Sequence, residues 1–128
     1  MRLALDTNRY VDLCRGDRAV EAKVAQADAV LLPFVVLGEL RAGFASSSRA
    51  RQNERTLQRF LAVPGVDILF ATEATTVHYA NLFRQLREQG TPIPSSDLWI
   101  AALVLEHRLV LYSRDPHFDR LPQLDRLG

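Results

Sequence analysis

Four strand-length apolar runs, residues 2–5, 29–32, 66–70 and 109–112, constrain this chain more than anything else in it. The gaps between them carry helical periodicity, and short apolar strands alternating with helices form a parallel sheet whose crossovers cover both faces. The expected architecture is therefore α/β: three layers, α/β/α, around a central parallel sheet. At 128 residues the chain fits one domain, spanning 1–128.

The intervening helices can be placed from their stripes. Helical stretches are expected over "RYVDLC" (9–14) and "AVEAKVAQ" (19–26). "FVVLGELRAGF" (34–44) aligns Leu37, Leu40 and Phe44, and "ARQNERTLQRFLAV" (50–63) aligns Leu57, Phe60 and Leu61. "EATTVHYANLFRQLREQ" (73–89) follows Thr72 as cap, is expected to pack through Val77, Ala80, Phe83 and Leu86, and stops at Gly90. "SDLWIAALVLEH" (96–107) is apolar after its first turn, as a helix sandwiched in the core must be, with Ser95 or Ser96 as its cap.

Other features narrow the class. No apolar run approaches the roughly 20 residues that span a bilayer, and no signal peptide is evident, so no membrane partner and a cytoplasmic location are expected. The single cysteine, Cys14, is expected to be a small buried hydrophobe. Fifteen of the sixteen basic side chains are Arg, whose planar fork suits phosphate better than the point charge of Lys.

The chemistry lies in four carboxylates. Asp6 closes the first strand in "RLALDTN", at the carboxyl edge where open parallel sheets form their ligand crevice. Glu39 has Val35, Val36, Ala42 and Gly43 as its helical neighbours, a small and apolar face that points its carboxylate toward protein. Asp97 falls in the first turn of the apolar helix, and Asp115 follows the last strand as Asp6 follows the first. Each acid alone has a plain alternative: a helix cap, a distant Arg partner, a first-turn anion or an Asp-Pro turn. Together they come from four segments that converge on one edge. Four carboxylates in one crevice repel unless cations bind, and hard oxygen donors without clustered His or Cys select Mg²⁺ or Mn²⁺ over zinc.

In order and spacing, "LDTN", "LGELRAG", "SSDLWIAA" and "LYSRDPHFDRL" resemble the PIN-domain ribonuclease toxins of the VapC type, across essentially the whole chain. The resemblance implies a catalytic metal site of Asp6, Glu39, Asp97 and Asp115, with Thr7 and Ser113 as small supporting hydroxyls. Asp119 stands beside Asp115 as an alternative fourth acid, while Asp12, Asp17, Asp67 and Asp125 match no family position and are expected on the solvated surface. It also implies a metal-dependent endoribonuclease acting as the toxin of a toxin–antitoxin pair. RNA is then the substrate, a small antitoxin the cognate partner and a homodimer the expected assembly.

Residue chemistry agrees with hydrolysis by metal-activated water. His78, His107 and His117 are scattered, which leaves no acid–base pair to recruit an RNA 2′-hydroxyl. Setting the four acids aside leaves eleven acidic residues against sixteen basic, a net charge of +5 available to attract a phosphate backbone. Arg51, Arg55 and Arg59 recur every four residues, as a solvated helix face or a partner-contacting edge. Two other readings remain. A phosphotransferase of the haloacid dehalogenase type needs a second Asp where this chain has Asn8, and a non-catalytic PIN-like interaction module has no use for all four acids.

Overall fold

The computed structural model describes residues 1–128. Its elements are β1 (Arg2–Leu5), α1 (Thr7–Cys14), α2 (Arg18–Gln26), β2 (Ala29–Pro33), α3 (Phe34–Ala45), α4 (Ala50–Leu61), β3 (Val66–Leu69), α5 (Glu73–Gln89), α6 (Ser95–His107), β4 (Val110–Tyr112) and β5 (Arg126–Leu127), with a 3-10 turn over Pro116–Arg120. All five strands are parallel, in the order β3-β2-β1-β4-β5, and the helices flank the sheet. The expected α/β/α layering is therefore present. The two-residue β5, which pairs Arg126 with Leu111 and Leu127 with Tyr112, was too short to carry a periodic signal of its own.

β1 is the axis of the sheet. Leu3 pairs with Val30 on one side and Val110 on the other, and Leu3, Ala4 and Leu5 have no exposed surface. A strand with neighbours on both edges and helices on both faces must be apolar at every position, which is why this run does not alternate. α6 meets the same demand: Leu98, Ile100, Ala101, Ala102, Leu103 and Val104 are all buried. Truncating Ile100 or Leu103 to Ala would cost about 2–5 kcal/mol in such a site.

Four local expectations are corrected. α5 buries Thr75, Leu82 and Leu86, whereas Val77 is 61 % and Phe83 51 % exposed and Ala80 is also exposed. The helix packs one residue around from the expected stripe: Leu82 and Leu86 fill the interface, Tyr79 lies 4.4 Å from the Trp99 ring of α6, and Thr75 donates its hydroxyl to Glu106 Oε1 at 2.6 Å. Cys14 is exposed, since it closes the last turn of a short helix rather than a covered face. Neither Ser95 nor Ser96 caps α6; Pro94 holds that position with extended backbone, and its fixed φ launches the helix without a side-chain bond. Asp12 is not solvated surface: its side chain is 13 % exposed and sits between Arg9 and Arg114. Gly90 ends α5 at φ +72°, as the sequence predicts.

Candidate metal centre

Parallel pairing of β1 and β4 places the residues that follow them side by side. The Asp6 N–H extends the ladder to Tyr112 O at 3.1 Å, and the next residue along β4 is Ser113, which is fully buried. Ser113 Oγ donates to Asp6 Oδ2 at 2.6 Å and accepts from the Asp115 N–H at 3.1 Å, so one hydroxyl ties both strand-end acids together. Asp6 Oδ1 accepts from the Thr7 N–H at 2.8 Å, which also makes it the N-cap of α1. The cap role and the site role are carried by the two oxygens of one carboxylate.

The remaining acids arrive from the helices. Thr7 Oγ1 donates to Glu39 Oε1 at 3.1 Å, drawing α3 to the end of β1. Glu39 itself is exposed, contrary to the expectation that it points into protein. Its small neighbours Gly38, Ala42 and Gly43 are also exposed, and side chains that short leave a carboxylate bare instead of covering it. Asp97, 7 % exposed in the first turn of α6, lies 2.7 Å through Oδ2 from His117 Nδ1, and the same nitrogen is 3.2 Å from Asp115 Oδ1. Asp115 also caps the 3-10 turn, accepting from the His117 N–H at 2.9 Å.

No Lys or Arg forms an ion pair with Asp6, Glu39, Asp97 or Asp115. Burial, above all, pushes Asp6 above the ordinary carboxylate range, against the opposing bonds from Ser113 and Thr7 and helped by the charge of Asp115. Burial likewise raises Asp97, with Asp115 and Asp6 adding to it and the His117 bond opposing. Glu39 is raised by partial desolvation, then by Asp6, Asp97 and Asp115. The acids thus stand in one another's field with no Lys or Arg to offset them, His117 being the one basic side chain in contact, with Asp97 and Asp115. Asp97, Asp115 and His117 each offer a ligand atom within 4.8 Å of the others, and the surrounding donors are carboxylate oxygens. Such a donor set fits a divalent cation of the Mg²⁺ or Mn²⁺ class.

Two of the residues assembled here escaped the sequence reading. Asn8 was weighed only as the residue that disfavours a phosphotransferase; its Nδ2 reaches Ser113 Oγ at 3.3 Å and its Oδ1 accepts from the Arg114 N–H at 3.3 Å. The polar triplet "DTN" after an apolar run was the available signal. His117 was read only as one of three scattered histidines, although its spacing two after Asp115 in a tight turn folds it back over that acid. Asp119 stays outside the cluster, 68 % exposed and paired with Arg126. Asp17 caps α2 from an exposed position, and Asp67 and Asp125 are exposed as expected. The centre is an open sheet edge; a cavity of about 520 Å³ between α1, α3 and α4, lined by Tyr10, Leu40 and Phe44 among others, contains none of the four acids.

The model of the PIN domain matches residues 3–124. The chain belongs to the PIN-domain family. Among relatives of this PIN domain, ribonuclease VapC1 of Haemophilus influenzae (strain R2866) is 30 % identical over 125 residues, covering 94 % of this chain and 92 % of that one. Ribonuclease VapC4 of Mycobacterium tuberculosis is 29 % identical over 91 residues, 71 % of this chain and 70 % of that one. The VapBC-1 structure from nontypeable H. influenzae superposes on the PIN domain with a TM-score of 0.88 at 28 % identity, over 100 % of this chain and 98 % of that one. VapBC2 of Rickettsia felis, solved on a DNA fragment from its promoter, gives 0.87 at 25 % identity, over 99 % and 98 %.

Proposed function

We propose that this PIN domain is a divalent-cation-dependent endoribonuclease and the toxin of a toxin–antitoxin pair. The observation that carries the reading is a cluster of carboxylates, two of them buried, that the protein leaves without a Lys or Arg partner, in a chain whose relatives are named ribonucleases. Asp6, Asp97 and Asp115 would hold the ion, with Glu39 at the rim and His117 within ligand distance of Asp97 and Asp115. A cation bound there supplies a Lewis acid that lowers the pKa of water and offsets the charge of the phosphate. The chain's own part is orientation. Ser113 fixes Asp6 and the backbone of Asp115, Thr7 fixes Glu39, and His117 holds the facing oxygens of Asp97 and Asp115. With no second histidine beside His117, attack by water is the route the side chains support, leaving 5′-phosphate and 3′-hydroxyl ends.

A small antitoxin is the proposed partner, since the superposing structures are named as VapBC assemblies; a basic side chain entering the acid cluster would block it. The apolar stripe that α5 exposes, Val77 and Phe83 with Ala80 between them, supports self-association as a homodimer. The deciding experiment incubates the purified protein with a mixed RNA panel in Mn²⁺, Mg²⁺ or chelator. Cleavage in either metal, none in chelator, and none by Asp97→Asn with its fold intact is expected. Metal-independent cleavage, or full activity in Asp97→Asn, overturns the reading.

A further inference from the structure

Beside the acid cluster, Arg114 is a side chain pinned at both ends. Its residue lies between Ser113 and Asp115, and its N–H donates to Asn8 Oδ1, so the backbone moves with the site. Its guanidinium meets Asp12 through two parallel bonds, Nε to Oδ2 and Nη2 to Oδ1, both 3.2 Å. Asp12 is held from behind by Arg9 at 3.1 Å, and Arg9 lies 4.9 Å over the ring of Tyr112 on β4. A chain of contacts therefore runs from the sheet to the surface: Tyr112, Arg9, Asp12, Arg114. Arg9 and Asp12 are nearly covered, with side chains 14 % and 13 % exposed, whereas Arg114 is 54 % exposed.

With its Arg114 end open to solvent, this ion pair is screened and contributes little to stability. Its geometry suits another task. A guanidinium carries five N–H donors, and Asp12 takes two along one edge. The other edge keeps its donors, faces away from Asp12 and is rigidly oriented, and a planar fork of that kind matches two oxygens of a phosphate. A nucleic acid approaching a centre of four carboxylates needs such a fixed cation close to it, and no Lys or Arg is paired inside the cluster itself.

We infer that Arg114 is the phosphate anchor of the RNA strand, binding a backbone phosphate next to the scissile one, and that Asp12 is the positioning residue that aims it. The inference rests on the ribonuclease reading and adds which side chain grips the substrate. Its consequence is opposite in sign to simple electrostatics. Neutralising Asp12 makes the surface more positive, which by charge alone tightens RNA binding; loss of aim weakens it instead.

The test measures binding of a short fluorescent single-stranded RNA of mixed sequence in chelator, over a series of salt concentrations, together with kcat and KM in Mn²⁺. Arg114→Ala is expected to weaken binding on the order of tenfold and to lower the slope of log K against log salt by about 0.7, one phosphate contact on a single strand. KM rises accordingly, with kcat reduced far less. Asp12→Asn is expected to weaken binding severalfold with the slope unchanged, and Arg114→Lys to keep the slope while losing part of the affinity. Lys23→Ala, an exposed charge on α2, serves as the control that leaves both unchanged. Wild-type binding and slope in Arg114→Ala, or tighter binding in Asp12→Asn, overturns the inference. Wild-type protein that cleaves RNA in metal while Arg114→Ala behaves identically sinks this inference alone; wild-type protein that neither binds nor cleaves RNA sinks the ribonuclease reading beneath it.

Discussion

Asp6 and Asp12 lie on successive turns of one short segment, and the fold treats their charges in opposite ways. Asp12 is compensated: bonds from Arg114 first, and then from Arg9, hold its carboxyl below the ordinary range. Asp6 is kept above that range, buried, supported by the hydroxyl of Ser113 and the amide of Thr7, and faced by further acids. Hydrogen bonds from neutral donors orient a carboxylate without neutralising it. The fold thus meets the half-buried Asp12 with two arginines, whereas Asp6, Glu39, Asp97 and Asp115 have no Lys or Arg beside them and only His117 touching Asp97 and Asp115, the contrast on which the proposed cation site rests.

The largest expected effect comes from the acids that have no arginine partner. Asp6→Asn or Asp97→Asn should lower RNA cleavage on the order of a hundredfold or more, measured at saturating Mn²⁺, while circular dichroism stays that of the wild type.

Next in size is a crossed thermal response. In chelator Asp6→Asn should melt above wild type, because an amide keeps the acceptor for the Thr7 amide without the buried charge. Metal should reverse the order. Binding to the folded state alone adds about 2.7 kcal/mol at a hundred times the dissociation constant, and the mutant should gain much less. For a chain of this size that is on the order of 10 °C in wild type. A mutant less stable in chelator that gains as much from metal as wild type would leave Asp6 as the cap of α1 and nothing more.

The pH dependence separates the two acids by sign. A raised folded pKa means that the fold favours the protonated carboxyl. The destabilisation by Asp6 is therefore absent below its ordinary value of 3.8 and grows as the pH rises through the folded value above it. In chelator, the melting advantage of Asp6→Asn should accordingly be largest near neutrality and shrink toward pH 4. Asp12 runs the other way: its contribution is present above 3.8 and is lost as the pH falls through its lower folded value. The deficit of Asp12→Asn should thus hold from neutrality down to about pH 4 and vanish below it. Melting curves of both variants against wild type across that range give the two slopes.

The smallest effect tests the boundary of the cluster. Asp119→Ala removes an exposed partner of Arg126 and should change stability by no more than about 1 kcal/mol, with RNA cleavage unaltered. A large loss of activity would extend the centre beyond Asp115.

The sequence by itself determined the sheet and the order of its parts. Leu3 to Leu5 and the apolar length of α6 have no other stable home than the interior of a doubly covered sheet, and two strands that each end in an acid place Asp6 and Asp115 at the same edge. Periodicity is a property of one segment, so whatever depends on one segment could be read from it. Tertiary structure decided the rest. The rotation of α5 was decided by its packing on α6, with Leu82 and Leu86 buried, Tyr79 against Trp99 and Thr75 bonded to Glu106, away from the stripe of Val77, Ala80 and Phe83. Glu39 joined the acids through Thr7 and not through burial, and His117 came to lie between Asp97 and Asp115 because a tight turn folded it back. Asp12 looked like any surface acid until β4 delivered Arg114 to it across 102 residues of sequence. Charge compensation is a relation between segments, fixed only when the sheet brings them within a few ångströms, and no local pattern of residues encodes it.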